Sequence, residues 1–222
     1  MSRAIAVLRP EPGNRVTTAA IEARGRRAIR LPLFEARAVA WEVPDPERFD
    51  ALLLTSANAV RHAGAGLTQL RELPVHAVGD VTAEAARRAG FAVASIGESG
   101  AEALVARAEA MGVQRALHLA GRERTLEIGG IIAEVVTIYV SEALPITADM
   151  AARLAGSVAL IQSARAGARL AEIVALAQRK DIILVATSER AAAAAGAGWE
   201  RVLVPPEFRG TALIDAAIAL AD

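Results

Sequence analysis

The sequence predicts an α/β protein: two similar parallel-sheet α/β lobes joined by a two-stranded β-ladder hinge, with the chain crossing between them twice. Three observations predict it. Phe49–Val60 (FDALLLTSANAV) returns as Ser157–Ala168 (SVALIQSARAGA), each an apolar strand that runs into a serine and then an alanine-rich helix. Apolar runs of strand length alternate with helical stretches along the chain, the pattern of βα units around parallel sheets. Two extended stretches, Phe34–Val43 between Pro32 and Pro44 and Glu134–Glu142 ahead of Pro145, interrupt that rhythm and read as paired linker strands.

In order along the chain, strands are predicted at Ala4–Leu8, Ala28–Leu31, Ala51–Thr55, Val75–Val78, Ala92–Ile96, Ala116–Leu119, Val158–Gln162, Ile182–Ala186 and Arg201–Val204. Helices are predicted between them. Arg15–Arg24 closes at Gly25, Val81–Ala89 at Gly90, Ala101–Ala110 at Gly112 and Ala191–Ala197 at Gly198, each glycine suited to the positive φ of a C-terminal cap. Gly90-Phe91 and Gly198-Trp199 stand at matching places in the two repeats.

If the first strand joins the carboxyl-terminal half, one lobe is discontinuous, formed by 1–33 plus 145–222. The other is 45–134, with linker strands at 34–44 and 135–144. A single linker near residue 140 is the alternative, but it leaves the last segment only three clear strands. Two matched units facing each other would enclose a cleft.

The chain has 222 residues, beyond the soft single-domain size of roughly 150. Its 54% hydrophobic content is inflated by alanine, and no apolar run approaches the roughly 20 residues of a membrane span. The first strand is too brief for a signal-peptide core, and with no cysteine the chain suits a reducing cytoplasm. A formal net charge of zero lacks the basic excess of a nucleic-acid binder.

The familiar cofactor signatures are missing. Lys180 has no glycine-rich loop before it, and Gly64-Ala65-Gly66-Leu67-Thr68-Gln69 has Gln69 where a dinucleotide fingerprint needs its third glycine. His62, His76 and His118 lack the spacing of a zinc pair and read as ordinary surface or strand residues. Ser56 and Ser163 lack the flanking glycines of a nucleophile elbow.

What remains is a set of strand-to-helix junctions at Ser56, Thr82, Ser163 and Ser188. There, free backbone N–H groups and the positive end of the helix dipole can receive an oxyanion. Each also reads as a plain helix cap, and the two roles are compatible. Arg9, Arg122, Arg124 and Arg165 fall just past strand ends, where they can pair with carboxylates or simply be solvated charges. Tyr139, the sole tyrosine, lies in the second linker strand; its hydroxyl can donate to a leaving oxygen, although a tyrosine in an apolar strand also suits a core.

Taken together, these parts resemble the uroporphyrinogen-III synthase family over nearly the whole chain. The resemblance rests on the opening strand with Arg9-Pro10, Leu54–Val60, Ala77-Val78-Gly79-Asp80-Val81-Thr82-Ala83, Leu119-Ala120-Gly121-Arg122 with Arg124, Val136–Tyr139, Ser163, and Ser188-Glu189-Arg190 ahead of Gly198-Trp199. It implies a hydro-lyase that cyclises hydroxymethylbilane to uroporphyrinogen III, losing water and inverting the last pyrrole ring, with no metal or organic cofactor. It also implies Tyr139 as the catalytic residue and Arg9, Ser56, Thr82, Gly121, Arg122, Ser163 and Ser188 as substrate-binding residues. Ala186-Thr187-Ser188-Glu189-Arg190 stands where many relatives have a glycine followed by threonines. The expected protein is a cytoplasmic monomer with no nucleic-acid or membrane partner, in transient contact with the preceding pathway enzyme. The alternative is a non-catalytic two-lobed anion-binding or regulatory protein derived from the same fold.

Overall fold

The computed structural model describes residues 2–97, 100–206 and 211–222. The elements run β1 (Ile5–Val7), α1 (Gly13–Glu22), β2 (Ala28–Arg30), β3 (Phe34–Ala38), β4 (Ala51–Leu54), α2 (Ala57–His62), β5 (Val75–Val78), α3 (Asp80–Arg88), β6 (Val93–Gly97) and α4 (Ala101–Ala110). They continue with β7 (Ala116–Gly121), β8 (Ile132–Ala143), α5 (Ala148–Ala152), β9 (Val158–Ile161), α6 (Ala164–Ile173), α7 (Leu176–Arg179), β10 (Ile183–Ala186), α8 (Glu189–Ala194), β11 (Arg201–Leu203) and α9 (Ala212–Ala221). The chain divides into two compact units, Met1–Glu35 with Ala143–Asp222, and Ala36–Glu142.

The discontinuous unit carries a five-stranded sheet in the order β11-β10-β9-β1-β2, and every pairing in it is parallel. Side chains alternate across a strand, so consecutive residues serve opposite faces. Ile5, Val7, Val158, Leu160, Ile183 and Val185 meet Leu213, Ile214 and Ala217 of α9 and Ile21 of α1 on one face. Ala6, Leu8, Ala159, Ile161, Leu184 and Ala186 meet Leu170 of α6, Ala191 and Ala192 of α8, and Trp199 on the other. Covering both faces explains why these strands read as continuous apolar runs.

The contiguous unit follows the same plan. Its strands lie in the order β8-β7-β4-β5-β6, all parallel, and β3 adds to β8 at the edge. Leu52, Leu54, Val75, Ala77, Leu117 and Leu119 face α2 and α3, while Leu53 and Ala116 face Leu104 and Ala108 of α4. Leu52, Leu53 and Leu54 are fully buried, each contributing roughly 1.5–3 kcal/mol. The β3–β8 ladder is antiparallel: Val39 N–H donates to Ile138 O at 3.0 Å and Leu144 N–H to Leu33 O at 2.9 Å, one number rising as the other falls.

Several boundaries differ from the sequence reading. The first linker strand stops at Ala38 rather than running to 44, because Trp41 and Val43 turn into the core of their unit. There the Trp41 indole donates to Ala63 O at 2.9 Å. The second begins at Ile132, before 135. The helix expected over Ala191–Ala197 spans Glu189–Ala194, since Gly196 at φ +68° closes it before Gly198 does. The first helix begins at Gly13 rather than Arg15 and ends at Glu22.

Candidate functional site

Each sheet contains one place where the strand order reverses direction. In the contiguous unit β4 is followed by β5 on one side and flanked by β7 on the other. In the discontinuous unit β1 is followed by β2 on one side and flanked by β9 on the other. Helices diverge from such a point, leaving a crevice outside the carboxyl ends of the two strands. The polar residues singled out from the sequence gather at both. Thr55-Ser56 follow β4 and Arg122 follows β7; Arg9 follows β1 and Ser163 follows β9.

In the contiguous unit, Ser56 is the cap of α2, its hydroxyl accepting from Asn58 N–H at 3.2 Å. Thr82 lies one position deeper in its helix than expected. Helix α3 opens at Asp80 because Gly79, at φ +72°, turns the chain there, so Thr82 lies inside the first turn and is only 5% exposed. Its backbone N–H, not its side chain, belongs to the strand-to-helix junction. Tyr139 pairs in register with Gly121, and Arg122 N–H donates to Tyr139 O at 3.0 Å. A Cβ on Gly121 would sit 2.6 Å from Tyr139 Cζ, so the phenol ring lies directly over this glycine. The His62 ring lies close to it as well, with centroids 5.9 Å apart. Tyr139 is half-buried at the margin of the unit's core.

Arg122 is exposed, and its guanidinium has no partner among the described residues. Arg124 is engaged, donating to Thr137 Oγ1 at 3.1 Å and pairing with Glu127 at 3.1 Å. Beside it His118 is fully buried, its Nε2 3.2 Å from Thr55 Oγ1. Burial, helped by the Arg124 charge, pushes its pKa down to about 4, so the imidazole is neutral at neutral pH.

In the discontinuous unit, Ser163 caps α6 by accepting from Ala166 N–H at 3.1 Å. Ser188 caps α8 by accepting from Ala191 N–H at 3.2 Å. Arg9 has no side-chain partner among the described residues, and its guanidinium lies across Gly13 at the start of α1. Partial desolvation there lowers its pKa. The fully buried Asn14 holds the loop after β1, donating to Val7 O at 2.7 Å and Arg9 O at 3.0 Å. Arg165 lies 4.3 Å over the Phe34 ring.

Sequence reasoning missed the roles of Asn14, His62 and His118. Asn14 carries no usable signal, since the buried face of its helix, Asn14, Thr17, Thr18 and Ile21, is mostly polar. His118 sits within Ala-Leu-His-Leu-Ala and reads as an ordinary strand position, although both faces of its sheet are covered.

Two doubly wound parallel sheets in one chain, each with hydroxyls, free N–H groups and, among the described residues, an unpaired arginine at its switch point, define a two-unit α/β protein of the kind that binds polyanionic ligands. The model of the HEM4 family, uroporphyrinogen-III synthase HemD, matches residues 15–215. The chain belongs to the uroporphyrinogen-III synthase family and is an enzyme of tetrapyrrole biosynthesis. Among solved structures, it is similar to uroporphyrinogen-III synthetase from Helicobacter pylori, at 17% identity and TM-score 0.70, covering 98% of this chain and 99% of that one. It is also similar to a mutant uroporphyrinogen III synthase from the extremely thermophilic bacterium Thermus thermophilus, at 18% identity and TM-score 0.55, covering 99% of each. No curated protein sequence matches the chain. Among the described residues, no helix is long and apolar enough to cross a membrane.

Proposed function

We propose that this enzyme converts hydroxymethylbilane to uroporphyrinogen III using Tyr139 as its catalytic residue, with Arg9, Ser56, Gly121, Arg122, Ser163 and Ser188 binding the substrate. The observation that supports this assignment is the placement of the binding residues at the carboxyl ends of the strands, four of them beside the two switch points, with Tyr139 paired in register with Gly121 at the end of β7. Thr82 takes part through its backbone N–H in the first turn of α3, since its side chain is buried.

The substrate supplies most of the chemistry. Electron push from the terminal pyrrole nitrogen expels the hydroxyl as hydroxide, leaving an azafulvene, and the Tyr139 hydroxyl donates a hydrogen bond to the departing oxygen. The substituted carbon of the last ring attacks, a spiro intermediate forms and reopens with that ring inverted, and closure follows. Hydroxide and the proton released on rearomatisation make up the water lost. Spontaneous closure gives the uninverted type I isomer, so the enzyme works chiefly by holding the two end rings in place. Acetate and propionate carboxylates meet helix N-termini and the guanidinium groups of Arg9 and Arg122, which have no partner to displace among the described residues. The β3–β8 ladder serves as the hinge in this reading. The enzyme acts as a cytoplasmic monomer, taking its reactive substrate from the enzyme that makes it.

The test generates hydroxymethylbilane in place, adds the protein, oxidises the products and separates the isomers. Type III product is expected, and a mixture left as type I rejects the proposal. Tyr139→Phe slows type III formation by less than the roughly 100-fold at the low end of general-acid catalysis, because the leaving group departs readily. An effect of this variant on stability alone would make Tyr139 a packing residue.

A further inference from the structure

We propose that Gly121 and His62 are positioning residues that together clamp the Tyr139 ring and so fix where its hydroxyl points. This rests on the reading of Tyr139 as the group that assists hydroxide departure.

The clamp begins with an irregularity in the ladder. β7 and β8 pair Ala120 with Thr137 and then Gly121 with Tyr139, leaving Ile138 as an extra residue. A bulge of this kind re-aims the side chain that follows it. Ile138 and Tyr139, neighbours that regular alternation would send to opposite faces, accordingly both pack against the same core. The re-aimed ring crosses the backbone of β7 at Gly121. A Cβ there would lie 2.6 Å from Tyr139 Cζ, 2.8 Å from Cε2 and 2.9 Å from the hydroxyl oxygen, and these are its nearest neighbours. Gly121 is not among the glycines with positive φ. Its backbone would accept alanine, so the missing side chain is needed for the ring alone.

The second member of the clamp is His62, in the last turn of α2, its ring centroid 5.9 Å from that of the phenol and tilted 32° to it. Burial and the Arg61 charge hold its imidazole below the ordinary pKa, favouring a neutral, packing partner. Ser56 caps the start of that same helix. The helix bearing a proposed substrate contact therefore also bears one jaw of the clamp. A hydroxyl that serves by orientation gains from a ring with little freedom to swing.

Tyr139 is the only tyrosine in the chain, so tyrosine labelled with 13C at Cζ gives a single NMR resonance that reports ring placement independently of activity. Gly121→Ala and His62→Leu are each expected to shift that resonance and to lower kcat for type III formation by no more than Tyr139→Phe does, with KM little changed. Combining Gly121→Ala with Tyr139→Phe is expected to add nothing to the loss from Tyr139→Phe alone. An unmoved resonance in folded Gly121→Ala protein overturns the clamp, as does a double variant whose losses multiply, which would make Gly121 an independent substrate contact. If Gly121→Ala does not fold, His62→Leu decides by the same resonance. Should Tyr139→Phe retain full activity, the catalytic reading of Tyr139 fails, while the resonance shifts still judge the clamp.

Discussion

Acidifying the protein through the range between pH 6.5 and 4 should expose His118 as a store of pH-dependent stability. The side chain is fully buried, and its folded pKa of about 4 lies below the ordinary value of 6.5. The folded state binds this proton less readily than the unfolded state, so stability rises with pH across the window and is lost as pH falls through it. The contribution is fully present above pH 6.5. The gap between the two values corresponds to about 3 kcal/mol in total, with about 2 kcal/mol gone by pH 5. Urea unfolding of the wild type and of His118→Gln, each between pH 7.5 and 4, isolates this contribution, because carboxylates and the other histidines titrate in both proteins. Glutamine keeps a neutral hydrogen-bonding group near Thr55 but cannot take up the proton. The wild type should lose about 2 kcal/mol more than the variant between pH 7.5 and 5. Parallel losses would show that His118 is protonated in the fold as easily as outside it, and would refute the burial argument.

Two further substitutions probe the discontinuous unit. A Cβ on Gly167 would lie 2.5 Å from Ala191 O and 3.0 Å from Ala195 N, both backbone atoms; Gly167→Ala should therefore destabilise by about 1–3 kcal/mol despite alanine's better helix propensity. A melting temperature that stays level or rises refutes that close approach of α6 and α8. Asn14→Asp keeps the shape of the side chain but replaces its two donated hydrogen bonds with an oxygen facing the Val7 and Arg9 carbonyls. It should lose about 2–3 kcal/mol in urea unfolding, and an unchanged midpoint would mean that the loop after β1 does not depend on Asn14.

The strands were readable because burial on both faces demands runs such as Ala51–Leu54 and Val158–Ile161 with nothing polar inside them. The three serine caps were readable for a local reason, since Ser56, Ser163 and Ser188 each bond an N–H two or three residues ahead. The burial of the Thr82 side chain is not legible, because a φ of +72° at Gly79 sets the helix start one residue earlier, and no pattern of hydrophobicity records that angle. The first linker strand was drawn too long because Trp41 and Val43 are as apolar as a strand requires. Only the space above Gly66, where a Cβ would meet Val43 at 2.7 Å and Trp41 at 3.0 Å, shows where they go. The bulge at Ile138 depends on a pairing between residues distant in sequence, so the company of Tyr139, Gly121 and His62 could not be read from any one of them.

The place of β1, between β9 and β2 in the middle of its sheet, has a consequence for synthesis. Residues 36–142 form an uninterrupted stretch, so that unit holds everything its core needs as soon as it leaves the ribosome. The opening 35 residues emerge earlier but must wait. Their central strand lacks one of its neighbours until Val158–Ile161 has been made, and that face of the sheet stays bare until Ala212–Ala221 follows. A nascent chain that has emerged only as far as about residue 150 would carry one finished unit and a naked βα segment ahead of it, seeking a chaperone.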